Sequence, residues 1–289
     1  MLDSPRPLEA TPRPPPSPEE ALEDLEIALL LEAVHQRQGY DFRAYAPAAM
    51  RRRVRRRLHE ESVRTVSALQ DKVLHDPAAM QRLVLGLSVT TTSMFRDPGF
   101  YRGLRENILP MLRTWPLIRI WHAGCSSGEE VYSLAIVLME EGLYGRSRVY
   151  ATDLQPPLLR RASAGAVELL AARRWEASYR AAGGRASLAS YYEVRGDQAV
   201  LSPELRRNVM FAQHNLVTDG SFNDFHLVLC RNVLMYFTPP LQQRAHRLIH
   251  ESLVRFGYLG LGRRETVAEP LEPLYALTDH REKIYRKVA

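Results

Sequence analysis

From Leu117 onward the sequence alternates between short apolar runs and longer stretches in which apolar residues have helical spacing. The apolar runs predict strands near 117–122, 148–152, 208–213, 225–230 and 257–262, with helices near 128–142, 155–164 and 239–255. Because parallel strands need a crossover connection, this order predicts an α/β fold with a doubly wound, mostly parallel sheet. Two strand-like segments flank Asp279 near the C-terminus, which predicts an antiparallel hairpin at the sheet edge.

The residues before 115 show helical spacing only. A helix is predicted from Pro18, with an apolar stripe formed by Leu22, Leu25, Leu29 and Ala33. Further helices are predicted at about 47–61, 63–75 and 77–87. The sequence therefore predicts a small N-terminal all-α domain at 19–95, followed by the α/β domain at 96–289.

Two segments depart from these patterns. Residues 1–18 contain seven prolines and few apolar residues, which predicts a disordered tail. The connection between 165 and 207 is too long for a plain helical crossover. It contains two strand-like runs around Gly196-Asp197, which predict a small inserted antiparallel β-hairpin at about 188–203.

The composition narrows the class of protein. The net charge of +6 comes from arginine, since lysine occurs only at 72, 283 and 287, and so strong a bias is poor evidence for nucleic-acid binding. No apolar run reaches membrane-spanning length, and the N-terminus lacks the features of a signal peptide. The two cysteines form neither a disulfide framework nor a metal motif. We therefore expect a cytoplasmic protein without membrane insertion or a bound metal.

A glycine turn, Gly124-Cys-Ser-Ser-Gly128, follows the first predicted strand and opens a helix, where free backbone N–H groups bind ligands. It matches neither the dinucleotide-binding pattern nor a phosphate loop. Glu129 and Glu130 at the helix start would repel a di- or triphosphate, whereas a cationic cofactor would tolerate them. Acids at this position also complement the helix dipole, so a purely structural role stays open at this point.

Asp153 ends the second predicted strand of the α/β domain. An acid in this place, downstream of a glycine turn, is positioned to accept hydrogen bonds from ribose hydroxyls. Helix capping is the alternative role for Asp153. The turn and the acid together favour a nucleoside, and a cationic nucleoside without phosphates is S-adenosylmethionine.

At this point the sequence resembles a known family, the chemotaxis receptor glutamate methyltransferases or CheR proteins, from about residue 20 onward. The segments that carry the resemblance occur in family order and are Thr91-Thr-Ser-Met-Phe-Arg-Asp-Pro98, Gly128-Glu-Glu-Val-Tyr-Ser133, Ala151-Thr-Asp153, His214-Asn-Leu216 and Cys230-Arg-Asn-Val-Leu-Met-Tyr-Phe237. The resemblance implies a Rossmann-like methyltransferase sheet. It also implies S-adenosylmethionine as methyl donor, S-adenosylhomocysteine as product, and chemoreceptor glutamates as acceptors.

The resemblance also implies the site residues, position by position. It implies a cofactor site lined by Thr92, Arg96, Glu130, Asp153, Asn215, Leu216, Arg231 and Asn232. Gly124 joins this set from the turn, and Thr90 joins it at a position where the best-known members have Asn. The residues that it implies around the reacting carboxylate are Arg96, Arg231 and Tyr236.

The chemistry of the reaction accounts for these residue types. A glutamate side chain, with a reference pKa of about 4.3, is ionised at neutral pH and needs no general base to attack a sulfonium methyl. It needs orientation, desolvation and a nearby cation, and a planar guanidinium that stays charged when buried suits this task. We therefore predict that Arg96 and Arg231 clamp the carboxylate and that the Tyr236 hydroxyl positions the carboxylate or the methyl group. The structural alternatives are that Arg96 pairs with Asp97 or a helix end and that Tyr236 is a core residue.

The predicted second helix has apolar residues on one stripe and arginines on its other faces. Its arginines are Arg51, Arg52, Arg53, Arg55, Arg56 and Arg57. Because like charges at this density repel, we expect an acidic partner. The resemblance implies that this partner is the acidic methylation helices of a chemoreceptor cytoplasmic domain, with a solvated face or nucleic acid as the alternatives.

Two departures from the family pattern bear on the substrate. The inserted hairpin is short, so we expect no docking of a receptor C-terminal pentapeptide. Arg263-Arg264 replace His-Ser in the usual Gly-His-Ser-Glu segment. A non-catalytic adaptor with the same fold and a nucleic-acid methyltransferase remain as alternatives. The sequence lacks the Asn/Asp-Pro-Pro-Tyr/Phe turn of the latter, so we expect no binding of nucleic acid. We also expect a monomer.

Overall fold

The chain was studied as a computed structural model that describes residues 17–87 and 92–288. The described residues form two compact units: 17–43 with 50–84, and 44–49 with 85–87 and 92–288. The predicted tail lies, up to residue 16, outside the described residues, and the predicted domain boundary at 95 stays a prediction. No helix in the described ranges combines the length and the apolar character needed to cross a membrane.

The first unit is helical, as predicted. The four helices at the start of the described chain are α1 (Pro18–Gln38), α2 (Pro47–Glu60), α3 (Val66–His75) and α4 (Pro77–Leu87). A capping box starts α1, because the Ser17 hydroxyl accepts from the Glu20 N–H and the Glu20 carboxylate accepts from the Ser17 N–H. Gly39, with φ 75°, ends it in the left-handed conformation.

The apolar stripe predicted for α1 is not the face that packs. Leu22, Leu25 and Leu29 are each more than half exposed. The buried face consists of Ile27, Leu30, Leu31 and Val34. This second set has the full i, i+3, i+4, i+7 spacing, so it forms a wider stripe and buries more apolar surface. The prediction failed because α1 carries two apolar stripes, and spacing alone does not say which one faces the core.

The second unit is built on a seven-stranded sheet in the order β6-β2-β1-β7-β8-β10-β9. Its strands are β1 (Ile118–Ala123), β2 (Ser147–Asp153), β6 (Val209–Gln213), β7 (Phe225–Cys230), β8 (Leu253–Leu261), β9 (Tyr275–Asp279) and β10 (Ile284–Lys287). The first five pair in parallel, whereas β10 pairs antiparallel with β8 and β9. The predicted α/β class and the antiparallel edge hairpin are therefore confirmed.

Helices cover the sheet and the connections between its strands. They are α5 (Pro98–Gly103), α6 (Leu109–Leu112), α7 (Glu129–Glu140), α8 (Pro156–Ala164), α9 (Leu169–Arg174), α10 (Glu176–Ala181) and α11 (Pro239–Ser252), with a π-helical turn at Leu104–Ile108. All six residues of β7 are buried. A strand buried on both faces reads as a continuous apolar run, which is why the sequence located β1 and β7 so closely.

The inserted subdomain is larger than the predicted hairpin. The hairpin itself is present as β4 (Tyr192–Arg195) and β5 (Gln198–Leu201), joined at Gly196-Asp197. A third strand, β3 (Ala166–Glu168), pairs antiparallel with β5, which makes a three-stranded sheet in the order β3-β5-β4. Three residues are too few for a detectable alternation, so no sequence pattern indicated β3.

A buried histidine in α11 gives a prediction for stability. His246 is 2% exposed, and neither ring nitrogen has a well-aligned hydrogen-bond partner among the described residues. Burial lowers the pKa of His246 from 6.5 to about 4, and the carbonyl of Gln242 offsets this only in part. Because an unpaired buried polar group costs free energy, His246→Leu is expected to raise the free energy of unfolding by about 1–2 kcal/mol at pH 7.

The same substitution should change the pH dependence of stability. In the unfolded chain the imidazole takes up a proton below pH 6.5, whereas in the folded chain it stays neutral down to about pH 4. Stability is therefore lost as the pH falls through this window, by up to about 3 kcal/mol. Urea unfolding of both proteins at pH 7, 5.5 and 4.5 tests this, and equal slopes in the two proteins would contradict it.

Candidate active site

A cleft lies at the carboxyl ends of β1, β2 and β7. The chain leaves β1 toward β2 and β6 on one side, and later returns to place β7 and β8 on the other side. This reversal makes the position between β1 and β7 the topological switch point of the sheet. Ligands of open α/β sheets bind at such a point, because the connections diverge there.

The glycine turn after β1 forms the floor of the cleft. Gly124 has φ 80° and Gly128 has φ 92°, which only glycine adopts readily. A Cβ at Gly124 would lie 2.7 Å from a methyl group of Val233, and one at Gly128 would lie 2.9 Å from Cβ of Ala162. Both glycines are therefore required by backbone conformation and by space.

The two acids at the start of α7 have different surroundings. The Ser127 hydroxyl donates to both carboxylate oxygens of Glu129, at 3.0 and 2.7 Å, so Glu129 is buried in a local cap. Glu130 lines the cleft instead. Glu130 is also the acid of these two that was predicted to line the cofactor site.

Asp153, the last residue of β2, lies against the glycine turn. Its Oδ2 accepts from the Ser126 N–H at 2.8 Å and its Oδ1 accepts from the Gln155 N–H at 3.0 Å. Burial raises the pKa of this carboxyl, and the backbone donors oppose that effect. Each oxygen retains a lone pair that a ligand hydroxyl can use.

An ion-pair network lies at the end of β7. Arg231 is 1% exposed and donates from Nη1 to Glu130 Oε2 at 2.6 Å and from Nη2 to Asp97 Oδ2 at 2.8 Å. Its guanidinium also stacks 4.0 Å from the ring centre of Phe100. Burial alone would raise the pKa of Glu130, but Arg231 and His122 outweigh it and hold that pKa below its usual value.

This network bears on the predicted arginine clamp. Arg96 and Arg231 are close, because Arg231 Nη1 lies 3.5 Å from the carbonyl oxygen of Arg96 and both residues line the cleft. The terminal nitrogens of Arg231, however, are directed at Glu130 and Asp97. A direct grip by Arg231 on a substrate carboxylate stays a prediction.

Most of the other predicted site residues share the cleft. Those that line it together with Gly124, Glu130 and Asp153 are Thr92, Arg96, Asn215, Leu216, Arg231, Asn232 and Tyr236. Thr90 lies outside the described residues. The roles of the residues that line the cleft stay predictions, but the structure brings these residues to one cavity from five separate stretches of the sequence.

Several cleft residues were not predicted. They include Tyr45, His122, His214, Val233 and Phe237. His214 stands inside a motif quoted above and His122 lies two residues before the glycine turn, so the sequence around them could have indicated both. Tyr45 gave no such signal, because only the fold brings it to the cleft, where its ring packs 5.0 Å from that of Phe237.

The arginines of α2 have acidic neighbours within the first unit. Arg51 is paired with Asp24, Arg55 donates to Glu23 at 2.7 and 2.6 Å, and Arg56 donates to Glu60 at 2.7 Å. Arg57 lies 2.9 Å from Glu60, Arg53 is half-buried, and Arg52 is exposed. Acidic residues of the same unit thus largely neutralise the arginine charges whose mutual repulsion suggested an acidic partner. A receptor-binding role for this helix stays a prediction.

The donor set of the cleft suits a cationic nucleoside. His122 Nε2 and His214 Nδ1 are buried, line the cleft and have no hydrogen-bond partner among the described residues. The glycine turn lines the cleft beside them, and Glu130 and Asp153 supply negative charge. Within the described ranges, no group of three or more metal-ligating side chains occurs.

Comparisons with known proteins agree with this geometry. Residues 25–88 match the family described as "CheR methyltransferase, all-alpha domain", and residues 90–281 match "CheR methyltransferase, SAM binding domain". A Pseudomonas putida protein named "Putative methyltransferase Cher3" is 46% identical over 269 residues, which cover 91% of this chain and 97% of that protein.

More distant relatives carry the name of the family's activity. The "Chemotaxis protein methyltransferase" of Listeria monocytogenes is 30% identical over 237 residues, which cover 81% of this chain and 87% of that protein. Among solved structures, the N-methyltransferase NodS of Bradyrhizobium japonicum covers 67% of this chain and 99% of its own, with 14% identity and a TM-score of 0.36.

Proposed function

This chain belongs to the CheR methyltransferase family, and we propose that it transfers a methyl group from S-adenosylmethionine to glutamate side chains on the cytoplasmic helices of a chemoreceptor. The methylation would take place in the cytoplasm and would adapt a sensory response. One observation carries the proposal: a single cleft contains the glycine turn, Asp153, Arg96 and Tyr236. These are the groups needed to hold a nucleoside and to orient an anionic acceptor beside it.

The cofactor would be held by residues from three strand ends. The turn at Gly124 lines the cleft, and Asp153 has acceptor capacity for ribose hydroxyls. Glu130, kept ionised by Arg231, provides negative charge on the other side of the turn. When bound, S-adenosylmethionine supplies an electrophilic methyl group on a sulfonium.

For the acceptor, the chain's contribution is orientation. A glutamate side chain is ionised at neutral pH, so no residue of the cleft has to remove a proton. Both terminal nitrogens of Arg231 donate to carboxylates of the same chain, those of Glu130 and Asp97. We therefore assign the acceptor contact to Arg96, and we assign to Arg231 the positioning of Glu130 and Asp97. The Tyr236 hydroxyl would set the direction of attack.

An assay with isotopically labelled S-adenosylmethionine and receptor cytoplasmic fragments tests the proposal. We expect transfer as a carboxyl methyl ester that mild alkali releases. Arg96→Ala should lower the rate by about 100-fold, and Arg96→Lys should retain part of it, because lysine keeps the charge but loses the planar grip. A base-stable product would contradict the proposal, and cofactor binding without transfer to any receptor would favour the adaptor alternative.

Asp153 gives a prediction for cofactor binding alone. Asp153→Asn replaces an acceptor-only carboxylate with a group that has one acceptor oxygen. We expect S-adenosylhomocysteine to bind about 10- to 100-fold more weakly, since a hydrogen bond to a charged group contributes about 1.5–3 kcal/mol.

Isothermal titration calorimetry measures this effect. The matched control is Asp224→Asn, at the residue that precedes β7 and therefore at the opposite end of the sheet. Equal affinities for the Asp153→Asn and Asp224→Asn variants would show that Asp153 acts only in local backbone capping.

A further inference from the structure

A loop at the end of β7 carries three of the predicted site residues and has a strained backbone. It runs from Arg231 to Phe237 and contains a 3₁₀ turn at Leu234–Tyr236. Asn232 has φ 59°, in the left-handed region, which costs free energy for residues with a side chain, although less for Asn than for most others. Such a conformation persists only where surrounding contacts hold it, so the contacts of this loop show what fixes the site.

One buried carboxylate makes two of those contacts and a third within its own loop. Glu265, in the loop after β8, is 5% exposed. Its Oε2 accepts from the Asn232 N–H at 2.8 Å and from the Gly262 N–H at 2.7 Å, and its Oε1 accepts from the Met235 N–H at 3.1 Å. No salt bridge involves Glu265 within the residues that the structure describes. Three backbone donors from two loops therefore compensate its burial.

The packing at Gly262 supports the same reading independently. A Cβ at this position would lie 2.6 Å from Glu265 Oε2, 2.7 Å from Asn232 Nδ2 and 2.9 Å from the Asn232 backbone nitrogen. Only glycine lets the carboxylate sit between the two loops at hydrogen-bond distance. The β8 loop is thus shaped to bring Glu265 against the β7 loop.

We propose that Glu265 is a positioning residue, which holds the Arg231–Phe237 loop in the conformation that directs Arg231, Asn232 and Tyr236 into the cleft. This inference rests on the proposed function for its kinetic consequence. Its structural content, that Glu265 fixes the strained loop, is independent of which acceptor is methylated.

The two oxygens of Glu265 allow a graded test. Glu265→Gln keeps one acceptor oxygen, so it can retain the Asn232 and Gly262 bonds but not the Met235 bond. Glu265→Ala removes all three. Placement errors of about 1 Å cost up to about 100-fold in rate, so we expect kcat to fall about 10-fold in the Gln variant and about 100-fold in the Ala variant.

Binding should respond less than turnover. The Met235 bond supports the turn that holds Tyr236, which we assign to the acceptor, so Glu265→Gln should leave the affinity for S-adenosylhomocysteine within about 3-fold of the wild type. Glu265→Ala, which also frees Asn232, should weaken it by about 10-fold. A general loss of folded protein would instead lower kcat and the apparent affinity together.

Hydrogen–deuterium exchange gives a readout that does not depend on activity. Peptides covering 229–238 should exchange faster in both Glu265 variants. The matched control is Glu140→Gln, which alters a half-buried carboxylate that accepts from Tyr179 and Tyr191 and pairs with Arg105 at the far end of α7. This control should leave kcat, affinity and exchange at 229–238 unchanged.

Two results would overturn the inference. One is wild-type exchange at 229–238 in both Glu265 variants, and the other is a loss of rate no larger than in the Glu140→Gln control. If the wild-type protein methylates no receptor, the proposed function fails. The exchange and affinity measurements would then still decide whether Glu265 holds the loop.

Discussion

Replacing Arg231 with methionine is expected to lower the free energy of unfolding by about 3–5 kcal/mol, because it leaves two half-buried carboxylates without their main cation. Glu130 and Asp97 each lie within 2.8 Å of the Arg231 guanidinium, which is 1% exposed. The same change should reduce methyl transfer by about 100-fold or more, since Glu130 lines the cofactor cleft and would lose its fixed position.

Chemical denaturation and a transfer assay at 15 °C test the two parts separately. If Arg231→Met does not fold, the double variant with Glu130→Gln removes one of the stranded charges and should recover part of the stability. Arg180→Met is the matched control. The Arg180 side chain is 53% exposed and pairs with the partly exposed Glu176 on α10, so its loss should cost far less. Equal stability of the two single variants would show that the pairs at Arg231 contribute nothing.

Replacing Glu61 with glutamine is expected to destabilise the helical unit by about 2–3 kcal/mol. The Glu61 side chain is 4% exposed and accepts two hydrogen bonds from Arg82, at 2.7 and 2.8 Å, and lies 2.9 Å from Lys72. Without the carboxylate these cations face each other with no anion between them. Because Arg82 and Lys72 are themselves partly exposed, the cost stays below that of a fully buried pair.

The pH dependence gives a second measurement of the same interaction. The hydrogen bonds from Arg82 and then Lys72 lower the pKa of Glu61 from 4.5 to about 2. Since the folded-state pKa is the lower one, the stabilisation is complete above pH 4.5 and is lost as the pH falls toward 2. The Glu61→Gln variant should lack this part of the acid dependence.

Glu60→Gln is the control for this prediction. Glu60 is the adjacent residue, its side chain is 35% exposed, and it pairs with Arg56 and Arg57 at the surface. Such pairs contribute about 0–1 kcal/mol. Hydrogen exchange over 50–84, measured for the three proteins at pH 7 and pH 3.5, compares them. Equal protection in the Glu60 and Glu61 variants would contradict the prediction.

The sequence predicted those elements whose pattern follows from burial. β7 is apolar along its whole length because it is covered on both faces, and its bounds were predicted to the residue. The packed face of α1 was predicted wrongly, since two apolar stripes compete and their order depends on what the helix packs against. The three-residue β3 has no pattern of its own and forms only because β5 offers it a partner.

Within the site, the sequence indicated residue types but not their partners. Arg231 was assigned to a substrate carboxylate, yet its nitrogens bind Glu130 and Asp97, which stand 101 and 134 positions away in the chain. Glu265 ends the segment in which Arg263-Arg264 replace His-Ser, and nothing in that segment indicated its role. In the structure it accepts from three backbone N–H groups of the β7 and β8 loops. Contacts over such separations leave no trace in local spacing.

What the sequence by itself determined is the order of strands and helices, and with it the edge of the sheet where Gly124, Asp153 and Arg231 must meet. The order of strands and helices along the chain, and which segments are buried, follow from the hydrophobic period and the apolar content of each segment. Each segment carries these two properties independently of the rest. What only the tertiary structure decided is which charges neutralise each other. Ion pairing depends on distances between side chains that the fold alone sets, and those distances assign Arg231 to Glu130 and Asp97.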